Sequence, residues 1–205
     1  MAILSIARMG HPVLRGIAAR VEDPTDPGIA RLAADMRETL EHIAATGIAA
    51  PQVYAPKRVV VYHLPAARIP EGVDMEPVPW TTMVNPEITP VTEEKQPVWE
   101  RCLSIPGLHG KVPRYKRITI RFQDLEGNKV ETEAHSGWAS LLQHECDHLD
   151  GVLYPMRMED LSLLSFNDAP GALAEEALRH PERIDPKFLE MVGQWPNRER
   201  WLGAE

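Results

Sequence analysis

The chain has 205 residues, 43% apolar and 25% charged, a composition that excludes collagen-like and intrinsically disordered proteins and is long enough to bury a core without structural staples. Its 22 basic against 30 acidic residues give a net charge of −8, the wrong sign for a non-specific grip on phosphate backbones, so no nucleic-acid binding is expected. No run approaches the roughly 20 apolar residues that cross a bilayer. Two cysteines, Cys102 and Cys146, are too few for a secreted disulfide scaffold. With an N-terminus that lacks a basic region before a long apolar stretch, the chain reads as a mature cytoplasmic protein with no membrane association.

Residues 11–28 are punctuated by proline and read as loop, and Asp26-Pro27 supplies an N-cap and a first helical residue. Ile29, Leu32, Ala33, Met36, Leu40 and Ile43 then form one apolar stripe, which predicts an amphipathic helix ending near Gly47. Short β-branched runs at 58–62, 81–85 and 117–122 predict strands. Glu126-Gly-Asn128 has the turn chemistry to join 117–123 to 129–134 as a hairpin, so an antiparallel sheet is expected. Helical spacing returns from His135 to Leu149, with Gly151 just beyond as a stop. Leu161, Leu163, Leu164 and Phe166 predict the start of a further helix, broken at Asp168-Ala-Pro-Gly171, and 172–180 is expected to be helical again. The charged remainder, with Trp195 and Trp201 as its aromatic anchors, reads as a partly mobile appendage. This order of elements is α+β, with a catalytic body over residues 1–165 and an extension of unassigned role over 166–205.

Within the second helix lies His144-Glu-Cys-Asp-His148, an HExxH sequence. Two histidines at i and i+4 share one helix face and can share a metal, and the adjacent acid reaches a water beside it. About 0.03 such matches are expected by chance at this composition, so coincidence explains it poorly. A catalytic site of this kind needs a third protein ligand, which a histidine, an acid or a cysteine could supply. Cys146 is two residues from each histidine and points about 200° away, so it reads as a buried apolar residue. Cys102 lies in Trp99-Glu-Arg-Cys-Leu-Ser-Ile-Pro-Gly107, between strand-like segments.

Three segments in order carry a resemblance: Ala45-Thr-Gly-Ile-Ala-Ala-Pro-Gln52, Glu100-Arg-Cys-Leu-Ser104 and Gln143-His-Glu-Cys-Asp-His-Leu-Asp-Gly151. They are similar to GxGxAAxQ, EGCLS and QHExDHLxG of the peptide deformylase family, and the likeness runs to about Met158. The resemblance implies antiparallel β-sheets packed around a central helix that carries HExxH. It implies one divalent metal held by Cys102, His144 and His148, natively Fe(2+), with Zn, Ni or Co able to take its place. Glu145 is then the base that accepts a proton from water and passes it to the leaving amine, while the Gln52 side chain and the Leu103 backbone N–H bind the developing oxyanion. The implied substrate is an N-formylmethionyl peptide, met in a bacterial or organellar setting where ribosomes are nearby, and the implied state is a monomer.

Helix geometry adds that Gly137, Ser140 and Leu141, one turn before His144, line the adjoining pocket, whose small walls suit an unbranched thioether side chain. Asp147 and Arg114 are expected to form a supporting ion pair. Two motif glycines are replaced, by Ala45 and Arg101, while Gly47 keeps the second glycine of the first motif beside the substrate. Arg101, next to a ligand, is expected at the pocket mouth, where it narrows the site, contacts a peptide carboxylate or pairs with Glu100. The family often has an arginine seven residues after the cysteine, where this chain has His109, so Arg101 reads as a replacement for that charge. Two other readings are a paralogue with altered selectivity or a binding role, and an HExxH zinc peptidase.

Overall fold

The computed structural model describes residues 2–195. Helix α1, Pro27–Ile43, starts as its sequence dictates: the Asp26 side chain accepts from the Gly28 N–H, and Pro27 takes a position whose N–H has no partner in the helix. Ile29, Ala33, Met36 and Leu40 are buried. The helix ends earlier than expected, because Ala44 adopts a left-handed conformation (φ 53°) and its N–H bonds back to Glu41 and Leu40. Gly47 instead opens strand β1, Gly47–Ala49.

Strands β2 (Val59–Leu64), β3 (Val78–Pro90), β6 (Arg117–Gln123) and β7 (Lys129–His135) join β1 in an antiparallel sheet of order β1-β2-β3-β6-β7. The predicted hairpin is present, with Arg117 opposite His135 and Gln123 opposite Lys129. Strand β3 is much longer than the run at 81–85 suggests. A register shift between Val84 and Glu87 lets it continue, with Asn85 at φ 54° hydrogen-bonding both ways to the Val21 backbone.

A second antiparallel sheet, of order β4-β5-β8, takes two strands from segments with no predicted element and a third from the segment expected to be helical. It consists of β4 (Lys95–Cys102), β5 (Ile105–Tyr115) and β8 (Ser165–Phe166). Prolines and glycines hide the alternation in these strands, yet Pro97 stands opposite Pro113, so the missing donors fall on a single rung. The helix expected from Asp160 does not form. Asp160 caps one short turn, Leu161–Leu163, after which Ser165–Phe166 pairs with His109 and Leu108.

Helix α2, Ser136–Leu149, is buried along most of its length, and its Leu142, Cys146 and Leu149 join a core with Ala49, Val60, Tyr62, Met83, Ile118 and Ile120. It touches strands of both sheets. The architecture is α+β with two antiparallel sheets about this helix. Helices α3 (Ala172–Arg179) and the unanticipated α4 (Pro186–Gly193) are not a loose appendage: Leu173, Ala174, Ala177, Ile184, Phe188 and Val192 form their own buried cluster, against which Trp99 and Trp195 pack. Trp201 lies outside the described residues. No described helix is long and apolar enough to cross a membrane.

Candidate metal centre and active site

Cys102 ends β4, while His144 and His148 lie one turn apart on α2. All three are buried, and one donor atom from each lies within 4.8 Å of the others. The Cys102 Sγ is 3.2 Å from His148 Nε2. His144 Nδ1 donates to Glu100 Oε2 at 2.7 Å, since an ionised carboxylate only accepts, and this leaves Nε2 as the donor atom available to a metal. A buried thiol with two imidazoles fits zinc, iron, nickel or cobalt and would be a costly cluster to bury without a cation. Cys146 points into the core, and burial raises its thiol pKa. It takes no part.

Around the three residues runs a chain of buried charges. Burial alone would raise the pKa of the Glu100 carboxyl, but hydrogen bonds from Arg114 and His144 overcome this and hold it at about 2. Arg114 Nε and Nη2 grip both Glu100 oxygens at 2.6 and 2.9 Å, and its Nη1 reaches Asp147 Oδ2 at 2.6 Å. Arg157 Nη2 holds the other Asp147 oxygen at 2.8 Å. The Asp147–Arg114 pair is therefore present. Glu100 is taken by Arg114 and His144, so of the three roles open to Arg101 the pairing with Glu100 is not the one adopted.

Because the unfolded carboxyl titrates near 4.5 and the folded Glu100 near 2, the folded state binds fewer protons between those values. The stability Glu100 contributes is complete above pH 4.5 and disappears as pH falls to 2. Thermal melts of metal-free protein are expected to show Tm falling through that window, and Glu100→Gln to flatten the fall. An equally steep fall in the variant would place the acid sensitivity elsewhere.

Glu145 follows His144 on α2 and is also buried. Burial pushes its carboxyl up to about 7, and Oε2 has no hydrogen-bond partner among the described residues. Gly47 explains how it fits: a Cβ there would stand 2.5 Å from Glu145 Oε1 and 2.9 Å from Leu141 Cδ1. Gly47→Ala is expected to displace Glu145 and lower kcat by about 10²-fold, since small misplacements of catalytic groups cost that much. Steady-state kinetics with metal content held equal would read this, and an unchanged kcat would contradict it.

Gln52 sits in a short 3-10 turn after β1. Its Oε1 accepts from the Ala49 N–H at 2.8 Å, which turns Nε2 toward Cys102 Sγ (3.5 Å) and Ser104 Oγ (3.3 Å). Leu103 lies in the two-residue connection between β4 and β5. Gln52, Leu103, Gly137, Ser140, Leu141 and Arg101 all line one cleft of about 1050 Å³ together with Cys102, His144 and Glu145. Ser140 Oγ is turned back onto its own helix, 3.2 Å from the Ser136 carbonyl. The cleft lies between β1 and β4, each an edge strand of its sheet. Such edges offer unpaired backbone groups to an extended chain.

The roles of Arg114 and Glu100 in steadying His144 were only partly visible in the sequence. The available signal was alternation, which puts Glu100 on the same face of β4 as Cys102. The contributions of Phe188, Asp185 and Arg68 to the cleft wall were missed, since nothing in the sequence shows α4 returning to the site.

A helix-borne histidine pair, a thiol from a strand edge and a buried acid beside them define the centre of a metal-dependent hydrolase. The family model described as Polypeptide deformylase matches residues 3–163. Peptide deformylase 1 of Nitrosomonas europaea is 39% identical over 166 residues, covering 81% of this chain and 93% of that protein. Peptide deformylase 1 of Prochlorococcus marinus is 41% identical over 168 residues, covering 81% of this chain and 86% of its own. A crystal structure of class I type b peptide deformylase from Acinetobacter baumannii with Met-Ala-Ser bound superposes with TM-score 0.69 at 34% identity, covering 77% of this chain and all of that one. Peptide deformylase from Ehrlichia chaffeensis in complex with actinonin gives TM-score 0.71 at 33% identity, covering 79% of this chain and 92% of that one. The chain belongs to the peptide deformylase family and is a metallohydrolase. The zinc-peptidase and altered-paralogue readings are not favoured.

Proposed function

We propose that this protein removes the formyl group from the N-terminal formylmethionine of newly made polypeptides, with Cys102, His144 and His148 holding one divalent metal. The observation that carries the reading is the convergence of these three buried donors beside the Gln52 amide and the Glu145 carboxyl, whose Oε2 has no hydrogen-bond partner among the described residues, with Gln52, Cys102, His144 and Glu145 lining a cleft between two sheet edges. The bound metal supplies positive charge that acidifies water and polarises a carbonyl. Fe(2+) is the ion we assign in the cell; the same donors suit zinc, nickel and cobalt.

The peptide lies extended between β1 and β4, and its methionine side chain enters the space beside Gly137, Ser140 and Leu141. Glu145 takes a proton from the attacking water. As oxygen adds to the formyl carbon, negative charge builds on the carbonyl oxygen, where the Gln52 Nε2–H and the Leu103 backbone N–H donate to it. Glu145 then delivers its proton to the departing nitrogen, the C–N bond breaks, and formate leaves with a free α-amine on the peptide. Ser104 and Ala49 keep the Gln52 amide in the donating orientation before substrate arrives. The protein acts as a cytoplasmic monomer on chains emerging from the ribosome.

The test is turnover of an N-formyl-Met tripeptide and its N-acetyl analogue by protein loaded anaerobically with ferrous iron, read as appearance of free α-amine. Fast release from the formyl peptide and far slower release from the acetyl peptide is the expected result. No release from the formyl peptide by fully loaded protein would overturn the reading.

A further inference from the structure

Strand alternation divides β4 between two tasks. Glu100 and Cys102 face α2 and the buried charges. Trp99 and Arg101, with their cross-strand partners Lys111 and His109, face the other way, toward α3 and α4. On that side Trp99 Nε1 donates to Glu176 Oε2 at 2.9 Å, and Lys111 Nζ meets the same oxygen at 2.5 Å. The Arg101 guanidinium lies 4.7 Å above the Phe188 ring, which also meets the buried His109 edge-on at 6.4 Å. The segment over 172–193 is thus fastened to the back of the strand that carries Cys102, and it lies beyond residue 163, where the family match ends. Phe188 and Asp185 nevertheless line the same cleft as Glu145.

The charges at this end of the cleft are unevenly matched. Asp185 is held by Arg68, whose Nε lies 3.0 Å from both carboxylate oxygens. Glu176 is held by Lys111, and Glu190 by Lys187 at 2.9 Å. Among the described residues Arg101 makes no ion pair: Asp185 and Glu190 are near enough to act on its charge but are bonded elsewhere, and its hydrogen bond goes to the Met191 sulfur at 3.8 Å. A guanidinium carries five N–H donors, and apart from the one on the Met191 sulfur these have no hydrogen-bond partner among the described residues, on an exposed side chain that lines the cleft over the Phe188 ring. With the formyl carbon at Cys102 and Glu145, the chain beyond methionine leads outward, and at about 3.3 Å per residue its first three residues span roughly 10 Å of the cleft that Arg101 lines.

We propose that Arg101, mounted on Phe188 by the C-terminal extension, is a specificity-determining residue that binds a carboxylate in the peptide within the three residues beyond the formylmethionine. The proposal rests on the deformylase reading and makes the extension part of the substrate site. Arg68 and Asp185, already paired, hold the wall beside it.

The test compares kcat/KM for C-terminally amidated N-formyl-Met peptides that carry Asp or Lys at one of the next three positions and alanine elsewhere. The Asp-over-Lys ratio is expected to reach about two- to fivefold at one position at low salt, the range for an exposed charge contact, and to shrink in about 0.5 M salt. Arg101→Gln should bring the ratio close to unity, Arg101→Lys should keep part of it, and Phe188→Ala should reduce it. A ratio cancels any common loss of metal or folded protein. An unchanged ratio in Arg101→Gln, or no preference in the unaltered protein, would overturn the proposal. Should the unaltered protein turn over no formyl peptide, the deformylase reading fails instead, and calorimetric binding of the amidated Met-Ala-Asp and Met-Ala-Lys peptides reads the same preference without chemistry.

Discussion

Glu145→Gln is expected to lower kcat for an N-formyl-Met tripeptide by about 10²–10⁴-fold, the range for removal of a positioned general base. Metal content and KM should change little. Glutamine has nearly the same shape as glutamate and keeps the clearance that Gly47 provides, but it cannot take a proton. Because Glu145 holds neither Arg114 nor the Glu100 carboxylate, its replacement leaves the supporting charges in place. Steady-state kinetics combined with metal analysis separates this outcome from loss of the centre. A kcat near that of the unaltered protein would remove Glu145 from proton transfer.

Arg114→Leu is expected to destabilise the metal-free protein by about 3–5 kcal/mol, because it strands buried carboxylates that lose their counter-charge. Arg114 is 3% exposed and Glu100 7%, so water cannot take over the lost hydrogen bonds. For a chain of this size the loss corresponds to a fall in Tm of roughly 10 °C. Metal affinity should fall as well, by about 10–100-fold, since Glu100 orients His144 through its Nδ1. Denaturant unfolding and chelator competition read the two effects separately. Replacing Glu100 by Gln in the same chain should recover part of the stability and none of the metal affinity. A loss below about 1 kcal/mol would show that Arg157 and His144 suffice to hold the two acids.

How much of this was legible in the sequence depended on how local the signal was. Helix α1 was readable from its Asp-Pro start and apolar stripe, and the β6–β7 hairpin from its turn, because each is specified by residues within a few positions of one another. The HExxH pair was readable because helix geometry alone brings His144 and His148 together. Cys102 was different. Its approach to His148 depends on the pairing of β4 with β5 and the seating of that sheet against α2, and the prolines at 97, 106 and 113 conceal both strands. Resemblance to the family, not periodicity, pointed to it. The Glu100–Arg114–Asp147 chain spans three elements, so only the last of its pairs was anticipated. The extension was least legible: α4 has a good Asp185-Pro186 start, yet its stability comes from Trp99 and His109 far back in the chain. The helix expected after Asp160 failed because pairing with β5 offered Ser165 and Phe166 a better use of their backbone.

The most direct test is mass spectrometry of N-formyl-Met-Ala-Ser after incubation with ferrous-loaded protein in heavy-oxygen water. The account predicts intact, unlabelled Met-Ala-Ser with a free amine, together with formate that has gained one heavy oxygen from solvent. Fragments cut at an internal peptide bond, with heavy oxygen in the new carboxylate and the formyl group still attached, would contradict it.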